Sequence, residues 1–143
     1  MEVTVEETVA ASADKVWQAM SNFTGIEPSA TIQGVAIEGS GVGAIRTLTM
    51  VGGGVIRERL EAFDPAARIF TYAIINKDGP LPVDDYVSTV TISAIDADSA
   101  RVHWSAQCQP RGVPAEKVTS IISAVYKGGI QRARVKLGLV AVA

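Results

Sequence analysis

The sequence predicts an α+β fold: a curved, seven-stranded antiparallel sheet wrapped around a long C-terminal helix, with a short helical region after the first strand. Three observations carry this expectation. A hydrophobic period of two runs through the N-terminal segment and again from Thr31 to Gln109. Clusters of Gly, Pro and Asp cut that second stretch into hairpin-sized pieces. After Val113 the period becomes helical and stays so to Leu139.

Taken in order, Glu2 to Val9 alternates polar and apolar residues and reads as a strand. Ala11 to Phe23 turns helical, with Ser12 as the N-cap and Val16, Ala19, Met20 and Phe23 at helical spacing. Pro28 breaks any short helix after Asn22. Six strands are expected next, at Ile32–Glu38, Gly43–Val51, Val55–Phe63, Arg68–Ile75, Tyr86–Ile95 and Ala100–Gln109. Connections as short as Gly52-Gly53-Gly54 make antiparallel hairpins. In the last helix Pro114 suits the first position, and Val118, Ile121, Ile122, Val125, Tyr126 and Ile130 form one apolar stripe. Gly128-Gly129 interrupts that stripe, which suggests close backbone approach, a bend, or room for a ligand.

Composition bounds the function. The 143 residues, 48% apolar and 20% charged, suit one domain spanning 1–143 with an ordinary core. A net charge of −2 without clustered Lys or Arg argues against nucleic acid as a partner. The apolar runs are too short to insert in a membrane, and the acidic, alternating N-terminus is unlike a secretory leader, so the expected location is cytoplasmic. One cysteine, Cys108, and one histidine, His103, cannot make a zinc site or a disulfide framework. They fall on opposite faces of one strand, so Cys108 reads as core and His103 as surface. No metal and no cofactor are expected. Asp84-Asp85, beside Pro82, reads as a solvated turn.

Strand parity assigns the faces. In Val55–Phe63 one parity gives Ile56, Glu58, Leu60 and Ala62, so Glu58 points inward among apolar residues. In the preceding strand the long side chains Arg46, Leu48 and Met50 are placed inside. A three-residue Gly52-Gly53-Gly54 loop would pair Leu48 with Glu58 and set Arg46 diagonal to Glu58 on that face. Tyr72, Tyr86, Ser88 and Trp104 belong to inward parities of later strands. Ile122 and Tyr126 face them from the helix, and Leu81 and Pro82 lie in the loop nearby. A buried ion pair among aromatics is read either as a register-fixing device or as the polar anchor of a ligand pocket.

Val16-Trp17, Gly43-Ala44-Ile45-Arg46, Glu58-Arg59-Leu60, Asp64, Thr71-Tyr72, Gly79-Pro80-Leu81-Pro82-Val83, Tyr86 and Val102-His103-Trp104-Ser105 stand in an order and spacing that span nearly the whole chain. In these the sequence resembles the START/birch-pollen-allergen-like superfamily, in its polyketide cyclase/dehydrase and lipid-transport branch. The resemblance implies a helix-grip fold with a ligand cavity between sheet and helix. Arg46 and Glu58 are similar to an inward Arg and Glu of the family's lachrymatory factor synthase. Gly52–Gly54 and Gly79–Val83 stand where the plant abscisic-acid receptors of the superfamily carry their closing loops.

The leading expectation is a binding protein for a small, largely apolar ligand, polyketide-, lipid- or isoprenoid-like. Its pocket is lined by Leu48, Met50, Ile56, Leu60, Tyr72, Leu81, Pro82, Tyr86, Ser88, Trp104, Ile122 and Tyr126. The alternative is a cofactor-independent cyclase, dehydratase or isomerase with Arg46 and Glu58 as its acid–base pair. A third reading is an interaction module or homodimer with a vestigial pocket.

Overall fold

Alternation from Glu2 to Val9 yields a strand because Val3, Val5 and Val9 must be buried while Glu2, Thr4 and Glu6 stay wet. The computed structural model describes residues 1–140, so the expected domain end at residue 143 lies outside the described residues. The strands are β1 (Glu2–Val9), β2 (Ile32–Glu38), β3 (Ile45–Met50), β4 (Val55–Asp64), β5 (Ile69–Ile74), β6 (Val83–Asp96) and β7 (Ser99–Pro110). The helices are α1 (Ala13–Met20), followed by a 3₁₀ turn at Phe23–Gly25, and α2 (Ala115–Lys136). All seven strands join one antiparallel sheet in the order β1-β7-β6-β5-β4-β3-β2.

Register irregularities between Leu60 and Ala62 and between Asp84 and Val87 interrupt the ladder. Such bulges bend a strand and increase its twist, which curls the sheet. The second irregularity corrects the sequence reading of Asp84-Asp85. They belong to β6 rather than to a turn, Asp85 takes a positive φ of 53°, and Asp84 pairs with Arg111 at 3.1 Å.

Ser12 caps α1 as expected, its Oγ accepting from the Lys15 N–H at 3.3 Å. Pro114 sits one residue earlier than expected, at the N-cap of α2, and its carbonyl accepts from Lys117 and Val118. The buried stripe of α2 is narrower than predicted: Val118, Ile122, Tyr126, Ile130 and Ala133. Val125 remains 45% exposed because α2 packs chiefly on β1, β7 and α1 and presents one face to them. The main core gathers there, around Val9, Val16, Val90, Val102 and Tyr126. A second, smaller core of Ile32, Leu48 and Ile56 lies at the β2–β4 end. Ile74 and Leu81 touch both. Cys108 is buried. No described helix is long and apolar enough to cross a membrane.

Candidate functional site

The site begins with the β3–β4 hairpin. Gly52 and Gly53 take φ of 101° and 104°, a region that only glycine enters without strain. They therefore close the turn after Met50, whose N–H donates to the Gly54 carbonyl at 2.7 Å while Gly53 N–H donates back at 3.0 Å. The loop is thus Val51-Gly52-Gly53, not Gly52-Gly53-Gly54, and every pairing shifts by two. Leu48 faces Ile56, and Arg46 lies directly opposite Glu58 rather than diagonal to it. A shift of two preserves parity, so both side chains still point inward.

Arg46 Nε donates to Glu58 Oε1 at 2.7 Å, and Nη1 donates to the Phe23 carbonyl at 3.1 Å. The guanidinium carbon stands 4.0 Å from the Phe23 ring centre and 5.4 Å from that of Tyr72. A carboxylate, a carbonyl and two π faces together offset the desolvation of a cation in this position. Glu58 is only 7% exposed, and removing Arg46 would leave an uncompensated anion there. Yet the set is incomplete. Among the described residues Arg46 Nη2 and Glu58 Oε2 make no hydrogen bond of ordinary geometry, while no fully enclosed side-chain polar atom lacks a partner. These two atoms therefore border accessible space. Burial, then the Glu58 charge, raises the Tyr72 pKa against the opposing pulls of Arg46 and of the nearby Ser88 and Tyr86 hydroxyls. At neutral pH Tyr72 presents a protonated hydroxyl.

Toward α2 lies a second polar group with its own logic. Ser88 Oγ donates to the Ser105 carbonyl at 3.1 Å and accepts from Trp104 Nε1 at 2.9 Å. Its single proton is committed, so the 2.7 Å contact with Tyr126 must have the phenol as donor. Tyr126 in turn accepts from the Tyr86 hydroxyl. The chain Tyr86→Tyr126→Ser88→Ser105 has one polarity. Burial is the largest cause raising the pKa of both phenols, well above the ordinary value for Tyr86. Trp104 stacks on Tyr126 with ring centres 4.2 Å apart and 10° between planes. Gly129 permits this: a Cβ there would lie 2.7 Å from Trp104 Cζ3. Of the readings open for the glycine pair, close approach applies at Gly129.

The predicted pocket residues therefore divide. Tyr86, Ser88, Ile122 and Tyr126 are buried, and with Trp104 they fill the space between sheet and helix at that level. Leu60 and Tyr72 join the same core. Leu48 and Ile56, with Met50 and Leu81 against them, form the small cluster on the inner face beside Arg46 and Glu58. Pro82 belongs to the β5–β6 loop, its carbonyl accepting from Arg111 N–H at 2.8 Å. Clefts of about 390 Å³ occur elsewhere, one bordered by Ile74, Asn76, Val83 and Tyr86 and one between Asp14, Gln18 and Leu137. Neither includes Arg46 or Glu58, so the site is defined by its unpartnered polar atoms and not by those clefts.

Two residues that the pattern did not assign to the site shape it. Phe23, from the 3₁₀ turn, supplies both a carbonyl and a ring to Arg46. Arg111 fastens the β5–β6 loop by donating to the carbonyls of Lys77, Gly79, Leu81 and Val83 and to Asp84 Oδ1. That loop also meets the β3–β4 turn, since a Cβ on Gly54 would lie 2.7 Å from Pro80. Arg132, on α2, has no hydrogen bond or ion pair among the described residues. By sequence it reads, with Lys127, Arg134 and Lys136, as a cation favourable near the C-terminus of the helix. Among the described residues no group of three or more His, Cys, Asp or Glu could hold a metal ion.

Comparison with known proteins agrees with this architecture. The XoxI protein of Bacillus cereus is 27% identical, with a TM-score of 0.81 and 92% of each chain covered. Truncated norcoclaurine synthase of Thalictrum flavum is 24% identical with a TM-score of 0.78, covering 97% of this chain and 93% of that one. The Zhui aromatase/cyclase of Streptomyces sp. R1128 is 18% identical with a TM-score of 0.72, covering 96% and 95%. At these identities the latter two share the fold. No curated protein matches the chain significantly. By sequence, residues 1–138 match the family described as polyketide cyclase / dehydrase and lipid transport. The chain has the helix-grip architecture and, by this match over nearly its whole length, belongs to that family.

Proposed function

We propose that the protein binds a small, largely apolar molecule over the Leu48–Ile56 cluster, with the polar end of the ligand held by Arg46 and Glu58. One observation carries this reading. Arg46 Nη2 and Glu58 Oε2 border accessible space beside an apolar cluster, without protein partners among the described residues. A purely structural ion pair is completed by its surroundings, whereas a binding site keeps donors and acceptors unused until the ligand arrives. The family's lipid-transport and cyclase members make a polyketide-, lipid- or isoprenoid-like ligand the reference class.

Glu58→Gln tests the proposal, because it keeps shape and removes charge. Native mass spectrometry of freshly purified protein identifies the bound compound, and calorimetry then measures its affinity in both variants. A site in contact with accessible space gives at least tenfold weaker binding, about 1.4 kcal/mol, with a modest change in melting temperature. Loss of about 3–5 kcal/mol of stability with unchanged affinity identifies a structural pair instead.

The arrangement also favours a second reading, cofactor-independent proton transfer. Glu58 Oε1 is anchored by Arg46 Nε while Oε2 is free, so one carboxylate oxygen is fixed and the other can accept a proton. Arg46 Nη2 would stabilise negative charge developing on a substrate oxygen in the same space. Returning that proton to another substrate atom makes the net reaction an isomerisation, cyclisation or dehydration. Turnover of the co-purified compound that is abolished in Glu58→Gln supports this reading.

A further inference from the structure

The two edges of the sheet are finished differently. At one edge β1 lies under α2, its inner residues Val3, Val5 and Val9 are buried, and Arg134 Nη2 donates to the Thr8 carbonyl. At the other edge β2 has β3 on one side and no strand on the other, and α2 packs at the far end of the sheet. Lys and Pro, which guard many edge strands against pairing, are absent from β2. Its single charge, Glu38 at the strand end, is already paired with Arg57 at 3.2 Å.

Register shows which backbone groups β2 leaves open. Met50 spends its N–H and carbonyl on the β3–β4 turn. Alternation then turns Leu48 and Arg46 toward β4, and Thr49, Thr47 and Ile45 toward β2. Gly34, Ala36 and Glu38, which stand opposite those three, bond to β3, so the N–H and carbonyl groups of Val35 and Ile37 point out of the sheet. The side chains of Val35 and Ile37 share the inner face with Leu48 and Arg46. That apolar row opens toward the strand end: Ile32 is buried, Val35 is half-buried against the small core, and Ile37 is 39% exposed. The small core thus stops at an uncovered rim.

We propose that two copies of this chain associate through β2, antiparallel about a twofold axis at Ala36. In this register Val35 and the partner's Ile37 exchange both backbone bonds, and Ile37 and the partner's Val35 do the same. The two apolar rows meet on the inner face and continue the small core across the axis. Glu38 falls opposite the partner's Gly34, so no carboxylate faces another. The β1 edge is no match for this rim: it carries Glu2 and Glu6, and a β1–β2 contact between copies would be heterologous and would not close as a dimer. Contact along one short strand falls at the small end of specific interfaces, so the dimer is reversible. Neither Arg46 nor Glu58 takes part, and the association stands apart from the ligand reading.

Sedimentation velocity from low micromolar to near-millimolar protein tests this. The weight-average mass should rise from that of one chain toward that of two. Ile37→Lys, at an exposed edge position, should hold the protein at one chain with its circular dichroism unchanged. A cysteine pair tests the register. Ala36 and the partner's Ala36 form a non-hydrogen-bonded pair with Cα atoms about 4.5 Å apart, within disulfide reach. Ala36→Cys should therefore cross-link under mild oxidation, with Cys108 buried and unreactive. Gly34→Cys, where an added Cβ meets open space, should not. One chain at every concentration overturns the proposal and leaves the edge to a strand of another protein. A dimer that persists in Ile37→Lys, or cross-linking through Gly34→Cys that equals or exceeds that through Ala36→Cys, overturns it as well.

Discussion

Two adjacent glycines in α2 should respond in opposite directions to the same added methyl group. Gly in a helix interior costs about 1 kcal/mol relative to Ala, so Gly→Ala stabilises wherever the methyl has room. At Gly128 it has room: the nearest contact is Arg132 Nη1 at 3.8 Å, at the tip of a long side chain. Gly128→Ala should therefore stabilise by up to about 1 kcal/mol, or about 3 °C in melting temperature for a domain of this size. At Gly129 the methyl would lie 2.7 and 2.9 Å from Trp104 Cζ3 and Cη2. That ring cannot yield cheaply, because it is stacked on Tyr126 at 4.2 Å and bonded through Nε1 to Ser88. Displacing it sacrifices about 1 kcal/mol of stacking, about 1 kcal/mol of hydrogen bonding and about 1 kcal/mol or more in overpacking. The helical gain offsets about a third, leaving Gly129→Ala about 2 kcal/mol less stable, or about 6 °C lower. Thermal and denaturant unfolding of both variants, with near-ultraviolet circular dichroism of the tryptophans, is the assay. A stabilised Gly129→Ala with an unchanged tryptophan spectrum would refute the close-approach argument.

Three further outcomes follow from the polar networks. Tyr126→Phe removes the middle hydroxyl of the directional chain and leaves the Tyr86 proton without its acceptor, so stability should fall by about 1–3 kcal/mol in urea unfolding. Tyr86→Phe, at the donor end of that chain, should cost less, and equal costs would contradict the assigned polarity. Arg111→Gln should release the β5–β6 loop: amide exchange at Gly79, Leu81 and Val83 should accelerate while the α2 amides hold their protection. Finally, all three tyrosines are raised in pKa, chiefly by burial. The folded state thus holds its phenol protons more tightly than the unfolded chain. Stability should be level up to about pH 10 and decline above it, where only the unfolded chain gains by ionising. Denaturant midpoints across this range check it, and tyrosinate absorbance that appears before unfolding would contradict it.

Residue pattern alone was enough for the order of the elements and for the faces of the strands that carry Arg46 and Glu58. β1 and β2 run over the residues that the alternation predicts, Glu2–Val9 and Ile32–Glu38, because a half-buried strand must segregate its side chains with a period of two. The same parity turned Glu58 inward, and no tertiary information was needed to see it. Folding in three dimensions settled what parity cannot encode. Which glycines closed the β3–β4 turn depended on backbone angles at Gly52 and Gly53, and this set Arg46 opposite Glu58. Val125 and Ile122 look alike in a helical stripe, and only the position of α2 over β1 and β7 buries one and exposes the other. Phe23 reaches Arg46 across 23 positions of the chain, and Arg111 reaches the carbonyls of the β5–β6 loop across 28 to 34. A local pattern extends over one strand or one helical turn, so contacts across such separations exist only once the chain has folded and brought these side chains to one space.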